Sequence, residues 1–291
     1  MRSKDKIKIL VIGASGLIGN SLYNYLKKKG YDATGTYFRN KKKKLIFFDI
    51  KKTDIKSLKI SKNIKYLIIS HGININLDKT KKNYKKSYFV NVYKTKKIID
   101  YCFSKKIIPV YISSDGVFDG LKGNYGEMDK KNPIHSYGKI KNEVEKHITR
   151  SKKRYLIVRT SRVFGVKKND KTFLTELKRK MNNSSKLKSS YDQIFSPIFL
   201  NDLSNYLEKL IKNQNFGIFH LSSIKMISHF EIANQIKDFF KIKKIKIFSC
   251  KINSLRLIEK RPLLTHLSTS KFDSIFNVKY NDLIYYLRKL K

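Results

Sequence analysis

The chain has 291 residues, 41% of them hydrophobic, enough for a full core in one large domain or two small ones. Its 65 Lys and Arg stand against 22 Asp and Glu, a formal net charge of +43. Lys outnumbers Arg 55 to 10 and is spread over the whole length without a patch of Arg and aromatics. The charge therefore reads as compositional bias, with no specific nucleic-acid reader, and leaves a non-specific attraction to polyanions that also helps collect an anionic substrate.

The basic N-terminus leads into a short apolar run, Lys8 to Ile12 (KILVI), which reads as a buried parallel strand; it is too short for a signal peptide. Gly13-Ala14-Ser15-Gly16-Leu17-Ile18-Gly19 follows at once, and then a helical apolar pattern. Strand, glycine turn and helix in that order make a dinucleotide-binding start. Gly13 permits the turn, Gly16 lets backbone approach a pyrophosphate, and Gly19 lets the helix pack on the strand. Ser15, Leu17 and Ile18 complete the turn, whose helix N-terminus offers free N–H groups to the anion. Ala33 to Tyr37 is a second strand. No acid closes it; Arg39 with Lys41 to Lys44 suits a ribose 2′-phosphate, so NADP is expected in preference to NAD. Leu45 to Phe48 is a third strand, ending on Asp49 and Ile50 where an adenine would lie. Ile64 to Ile69 is a fourth, ending in Ser70-His71-Gly72, across which a cofactor would pass. His71 is a site residue by position, outside the catalytic set.

Asn83 to Ser104 reads as one long helix. Within it Asn91 is polar on a mostly apolar face: either it holds a water and backbone next to Lys141, or it is a satisfied buried amide. Ile107 to Ile112 is the fifth strand, running into Ser113-Ser114-Asp115. A loop rich in Gly, Asn and Asp closes with Pro133, and a helix begins near Ser136. Tyr137 and Lys141, four residues apart, share one face of it. A phenol ordinarily titrates near ~10; a nearby ammonium is expected to lower that value. Such a Tyr can pass a proton to a carbonyl oxygen, which Ser114 is placed to hydrogen-bond. Tyr155 to Val158 is a sixth strand, with Arg159 at its ligand-facing end.

The expected fold is therefore α/β: a Rossmann-like doubly wound parallel sheet with a smaller C-terminal substrate-binding lobe. Residues 1–165 form the NAD(P)-binding domain, to which 198–222 return; 166–197 and 223–291 form the lobe. In the latter region Lys171 to Met181 is a helix, Asn182 to Ser190 a polar loop, and Tyr191 to Leu200 extended. A helix to about Lys212, a strand Phe216 to Leu221, a helix His229 to Lys241, a strand Ile245 to Cys250 and a final helix Asp282 to Leu290 follow. Cys102 and Cys250 make neither a disulfide framework nor a metal site. No metal motif and no stretch long enough to span a membrane is present, and a cytoplasmic location is the default.

GASGLIG, ISSDGVFDG and SYGKIK resemble the extended short-chain dehydrogenase/reductases. With RTSRVFG, DQIFSPIFLNDL, GIFHLSS and RPLLTHLSTSKF, the chain resembles more narrowly the dTDP-4-dehydrorhamnose reductase family. The resemblance implies NAD(P)H-dependent reduction of a keto group on a nucleotide-linked sugar. It implies Tyr137 as proton donor, Lys141 as ribose-binding, Ser114 in place of the usual Thr, and Ser114, Asp115, Gly116, Arg162 and Arg261 at the substrate. Gly116, where related dehydratases carry an acid, argues against dehydration. Gly116 also stands where the family has an aromatic residue, and Arg162 where it has Trp, so a related keto-sugar and an anionic group facing Arg162 are expected. The expected partner is a nucleotide-sugar; a homodimer is compatible with the reading. A non-catalytic NAD(P)-binding regulatory subunit, like that of methionine adenosyltransferase, and a sugar-nucleotide epimerase are the alternatives.

Overall fold

The computed structural model describes residues 6–58, 63–73, 76–167, 170–223 and 225–290. The basic residues 1–5 ahead of the first strand lie outside them. The chain divides into two compact units, each assembled from three segments. The first comprises Met1–Ser113, Lys139–Val158 and Ser204–Ile218; the second comprises Ser114–Gly138, Arg159–Leu203 and Phe219–Lys291.

The elements run β1 (Lys8–Ile12), α1 (Leu17–Lys28), β2 (Asp32–Tyr37), β3 (Ile46–Phe47), β4 (Tyr66–Ile69), α2 (Leu77–Lys82), α3 (Tyr84–Tyr88), α4 (Thr95–Ser104), β5 (Ile108–Ser114), α5 (Ser136–Arg150) and β6 (Leu156–Thr160). There follow β7 (Val163–Phe164), α6 (Phe173–Asn183), β8 (Lys186–Ser190), β9 (Ile194–Phe195), β10 (Ile198–Phe199), α7 (Leu200–Lys212), β11 (Gly217–Leu221), β12 (Ile227–Ser228), α8 (His229–Phe239), β13 (Lys246–Cys250), α9 (Ser270–Phe276) and α10 (Leu283–Leu287).

Seven strands form the central sheet in the order β11-β6-β5-β4-β1-β2-β3. β1 pairs in parallel with β2 and β4, β4 with β5, and β2 with β3. The expected doubly wound parallel sheet is the one observed. Its inner strands are buried on both faces, which is why KILVI and YLII are continuous apolar runs with no alternation. Strand order reverses between β4 and β1, so chain crossings leave opposite faces there and the strand ends can receive a ligand.

In the first unit one core joins Leu10, Ile12, Leu67, Ile69, Ile99, Tyr111, Ile140, Val144, Ile148 and Ile157. Each such aliphatic side chain contributes roughly 1.5–3 kcal/mol by leaving water. The apolar stripe of α5 is what holds that helix on the sheet. In the second unit Phe164, Leu174, Met181, Phe195, Ile232, Ile236, Tyr286 and Leu287 form a separate core.

One local expectation is refined and another is corrected. The helical stretch expected over Asn83 to Ser104 is present, but within it α3 gives way to a π-helical segment, Phe89–Lys94, before α4. There the Thr95 hydroxyl donates to Val90 O at 3.3 Å, five residues back. The polar loop expected over Asn182 to Ser190 is in part a strand, β8, paired in parallel with β13 from Lys186–Lys246 to Ser190–Cys250. Its KLKSS sequence has one apolar residue, Leu187, half-buried against the second core, between the exposed Lys186 and Lys188; Ser189 and Ser190 are buried.

Candidate functional site

The glycine turn belongs to the first unit. Gly13 has φ +86°, the left-handed region that favours glycine, and a Cβ there would come within 2.9 Å of His71 N. Its N–H donates to the Thr36 hydroxyl at 3.1 Å, and Gly16 N donates to Gly13 O at 2.9 Å. A Cβ on Gly19 would collide with Gly13 O and lie 2.5 Å from Ser70 Oγ. Helix α1 starts from an extended Gly16 with no side-chain cap and no acid in its first turn. This N-terminus fits a phosphate: a tight turn, close backbone, and N–H groups that no side chain takes. Ser15 and Ile18 are half-buried, and Leu17 is exposed beside them.

The other expected cofactor residues have defined local roles. The Ser70 hydroxyl donates to Ile12 O at 2.8 Å, tying β4 to the turn. His71 Nε2 bonds the Thr95 hydroxyl at 3.0 Å, while its Nδ1 is buried with no hydrogen-bond partner among the described residues. Burial, then the Lys141 charge, brings the His71 imidazole down to about 4, so it is neutral. Gly72 is exposed. Arg39 is exposed past the end of β2, its guanidinium 5.8 Å from the Phe38 ring centre. Asp49 accepts from Lys51 N at 3.0 Å and closes a turn, while Ile50 packs against the core. Asn91 is the satisfied amide of its two readings: it accepts from Ile73 N at 3.0 Å and donates to Ile73 O at 2.9 Å. Lys141 Nζ donates to Ile112 O at 2.7 Å and lies 4.7 Å from the Tyr111 ring centre. Burial lowers its pKa to about 8 against the opposing pull of Glu145. Glu145 is fully buried and accepts from the Ser113 hydroxyl at 2.5 Å.

The second unit carries Ser114, Asp115, Gly116, Tyr137, Arg162 and Arg261. The Ser114 hydroxyl donates to Asp115 Oδ1 at 2.8 Å and accepts from Gly116 N at 3.1 Å. Asp115 Oδ2 accepts from the Ser161 hydroxyl at 3.1 Å, and the Thr265 hydroxyl also bonds this carboxyl. Burial nonetheless pushes the Asp115 carboxyl up. The expected lowering of the Tyr137 phenol is reversed: burial, and then the Asp115 charge, raise it well above its ordinary value. A desolvated phenol beside a carboxylate holds its proton. Gly116 is backed by His135, whose Cε1 would stand 2.8 Å from an added Cβ.

Three residues that support Tyr137 or Arg162 were not legible in the sequence. Glu259 takes both Ser136 N (3.0 Å) and the Ser136 hydroxyl (2.7 Å), capping α5 from 123 positions away. His135 Nδ1 accepts from Gly138 N at 2.9 Å, and its ring stacks on Tyr137 with centres 6.3 Å apart. Gln193 accepts from Arg162 Nη2 at 3.1 Å and donates to Pro262 O at 3.0 Å. No local pattern announces such pairings. Arg159, expected at a ligand-facing strand end, is instead structural: it is 1% exposed, donates to Glu127 O at 3.0 Å and packs over Phe118. Among the described residues no group of three or more His, Cys, Asp or Glu could hold a metal, and no helix is long and apolar enough to cross a membrane.

A mostly parallel seven-stranded sheet, a glycine turn feeding an uncapped helix, and a Tyr-x-x-x-Lys helix after β5 define a Rossmann-type nucleotide-binding protein. The chain belongs to the RmlD substrate binding domain family, whose model matches residues 7–289. It is 26% identical over 288 residues to dTDP-4-dehydrorhamnose reductase of Aggregatibacter actinomycetemcomitans, covering 94% of this chain and 95% of that one. It is 27% identical over 242 residues to methionine adenosyltransferase 2 subunit beta of Danio rerio, covering 81% and 74%. A Bacillus anthracis dTDP-4-dehydrorhamnose reductase solved in complex with NADP has the same fold, with a TM-score of 0.84, 23% identity and 98% of both chains covered.

Proposed function

We propose that this protein is an NAD(P)H-dependent reductase of a keto group on a nucleotide-linked sugar, of the short-chain dehydrogenase/reductase type. The observation that carries the reading is Tyr137: a half-buried phenol whose proton is favoured by desolvation and by Asp115, one helical turn before the half-buried Lys141 on α5. The near end-to-end similarity to a dTDP-4-dehydrorhamnose reductase supports the substrate class.

When bound, a reduced nicotinamide would supply hydride for the ketone carbon. The residues fitted to hold that cofactor are Gly13, Ser15, Gly16, Leu17, Ile18 and Gly19 at the phosphates, Asp49 and Ile50 at the adenine, and Ser70, His71 and Gly72 after β4, while Asn91, spent on Ile73, serves the backbone there. Arg39, exposed with no acid beside it, favours the 2′-phosphate of NADP. Tyr137 delivers its proton to the carbonyl oxygen as that oxygen gains charge. The phenolate left behind is disfavoured by burial and by Asp115, and Lys141 supplies the compensating cation. Ser114 orients the same oxygen by turning its proton away from Asp115. Proton delivery of this kind contributes about 10²–10⁴-fold. The sheet residues 1–165 with 198–222 carry the cofactor in this reading, and the remaining segments serve the substrate.

A second reading, a cofactor-binding subunit without turnover, is favoured by the similarity to methionine adenosyltransferase 2 subunit beta. One experiment separates them. NADPH and NADH are titrated by nicotinamide fluorescence, and NADPH oxidation is then followed with dTDP-linked 4-keto-sugars. Tyr137→Phe is expected to bind NADPH normally while losing about 10²–10⁴-fold in turnover. Turnover within a few-fold of wild type would remove Tyr137 as the donor; NADPH binding with no oxidation of any keto-sugar would favour the subunit.

A further inference from the structure

Arg162 is an unusual guanidinium. It is surrounded by protein closely enough to bring its pKa down to about 10, yet it keeps partial access to solvent. It packs over the Phe195 ring, 4.7 Å from its centre. Its one protein hydrogen bond among the described residues is the donation from Nη2 to Gln193, a neutral acceptor. A guanidinium has five N–H donors, so most of its donor capacity is unspent.

Asp115 is near enough for its charge to be felt, but it does not pair with Arg162. Its oxygens are taken by the hydroxyls of Ser114, Ser161 and Thr265. A second cation, Arg261, works against Arg162, and Arg162 in turn helps keep His229 neutral, with a pKa of about 3. A buried cation without a partner anion is costly, and a planar donor fork matches a carboxylate or phosphate. Asp115 also acts on Tyr137, so the cation belongs to the same cluster as the proposed proton donor.

We propose that Arg162 receives an anionic oxygen group of the nucleotide-sugar. A carboxylate on the sugar ring is favoured over the diphosphate, because the cluster also holds the group assigned to the keto oxygen. The inference rests on the function proposed above and narrows its substrate class to acidic sugars.

The test uses the full chain saturated with NADPH and two probes, dTDP-glucose and dTDP-glucuronic acid, with dTDP alone as reference. Calorimetric titration is expected to show the acidic sugar binding roughly 10- to 100-fold more tightly than the neutral one. Arg162→Gln is expected to erase that difference while leaving the neutral sugar and NADPH unchanged, and Arg162→Lys to keep part of it. Equal weakening of dTDP, dTDP-glucose and dTDP-glucuronic acid by Arg162→Gln would assign the guanidinium to the diphosphate, which overturns the acidic-sugar preference. Equal affinities in wild type and both variants would overturn any anion role for Arg162. Binding of NADPH with no binding of any dTDP compound would overturn the nucleotide-sugar reading itself. The wild-type comparison needs no variant, so a variant that fails to fold leaves the test standing.

Discussion

Glu259 makes the sharpest structural prediction, because a single carboxylate caps the helix that carries Tyr137. It accepts both Ser136 N and the Ser136 hydroxyl, and both residues are 7% exposed. Glu259→Ala leaves a buried backbone N–H without an acceptor, which costs about 1–3 kcal/mol. Loss of the negative charge at the helix N-terminus adds about 0.3–1 kcal/mol. The hydroxyl can turn to another acceptor and adds little. The sum is roughly 1–4 kcal/mol, and at about 2–4 °C per kcal/mol for a domain of this size the melting temperature falls by roughly 3–16 °C. Glu259→Gln keeps the geometry: its carbonyl accepts from Ser136 N and its amide donates to Ser136 Oγ. It therefore loses only the charge, and about 1–3 °C. Calorimetric melting at neutral pH measures both, and amide exchange at Tyr137 and Gly138 reports whether the helix start frays. If Glu259→Ala melts within 1 °C of wild type and those amides exchange no faster, the cap does not hold α5.

Two further outcomes follow from the first unit. Gly19→Ala would press a methyl group onto Gly13 O and Ser70 Oγ; overpacking of about 1–3 kcal/mol against backbone should weaken NADPH roughly 10- to 100-fold, and unchanged affinity in fluorescence titration would take the cofactor away from this turn. Lys141 has a folded pKa of about 8 against 10.5 ordinarily, so between those values the unfolded chain binds more protons and stability rises with pH. Wild type should therefore gain on Lys141→Met by up to roughly 3 kcal/mol from pH 8 to pH 10.5, measured by urea unfolding of both proteins; a difference that stays flat across that window would show the ammonium is not desolvated.

The sheet was legible because its signals are local. KILVI, the glycine turn and the apolar runs before Ser70 and Ser114 each declare a buried parallel strand or its end within a few residues. Strand β8 was not, because KLKSS is held by β13, 60 positions later, and carries a single apolar residue, with its buried positions filled by Ser189 and Ser190. The π-helical segment was hidden for a different reason: one extra residue in a turn leaves the apolar spacing of Val90, Val92 and Ile98 nearly unchanged. In the candidate site the order Ser114, Tyr137, Lys141 could be read from spacing, but the direction of the Tyr137 shift could not. Spacing showed an ammonium one turn away; it did not show the burial or the Asp115 carboxylate, which raise the phenol. Glu259, His135 and Gln193 act through single long-range hydrogen bonds, which leave no periodic trace.

The segment structure of the two units has a consequence for how the chain can be made and cut. The first unit takes its last piece from Ser204–Ile218, and the second from Phe219–Lys291. During synthesis the glycine turn can form early, but β11 can join its sheet only after more than two hundred residues have been made. No single cleavage of the chain separates the units into continuous fragments, so an expression fragment ending at residue 165 would lack both α7 and β11. Exchange of the second unit would require replacing three separate stretches of chain rather than one C-terminal fragment.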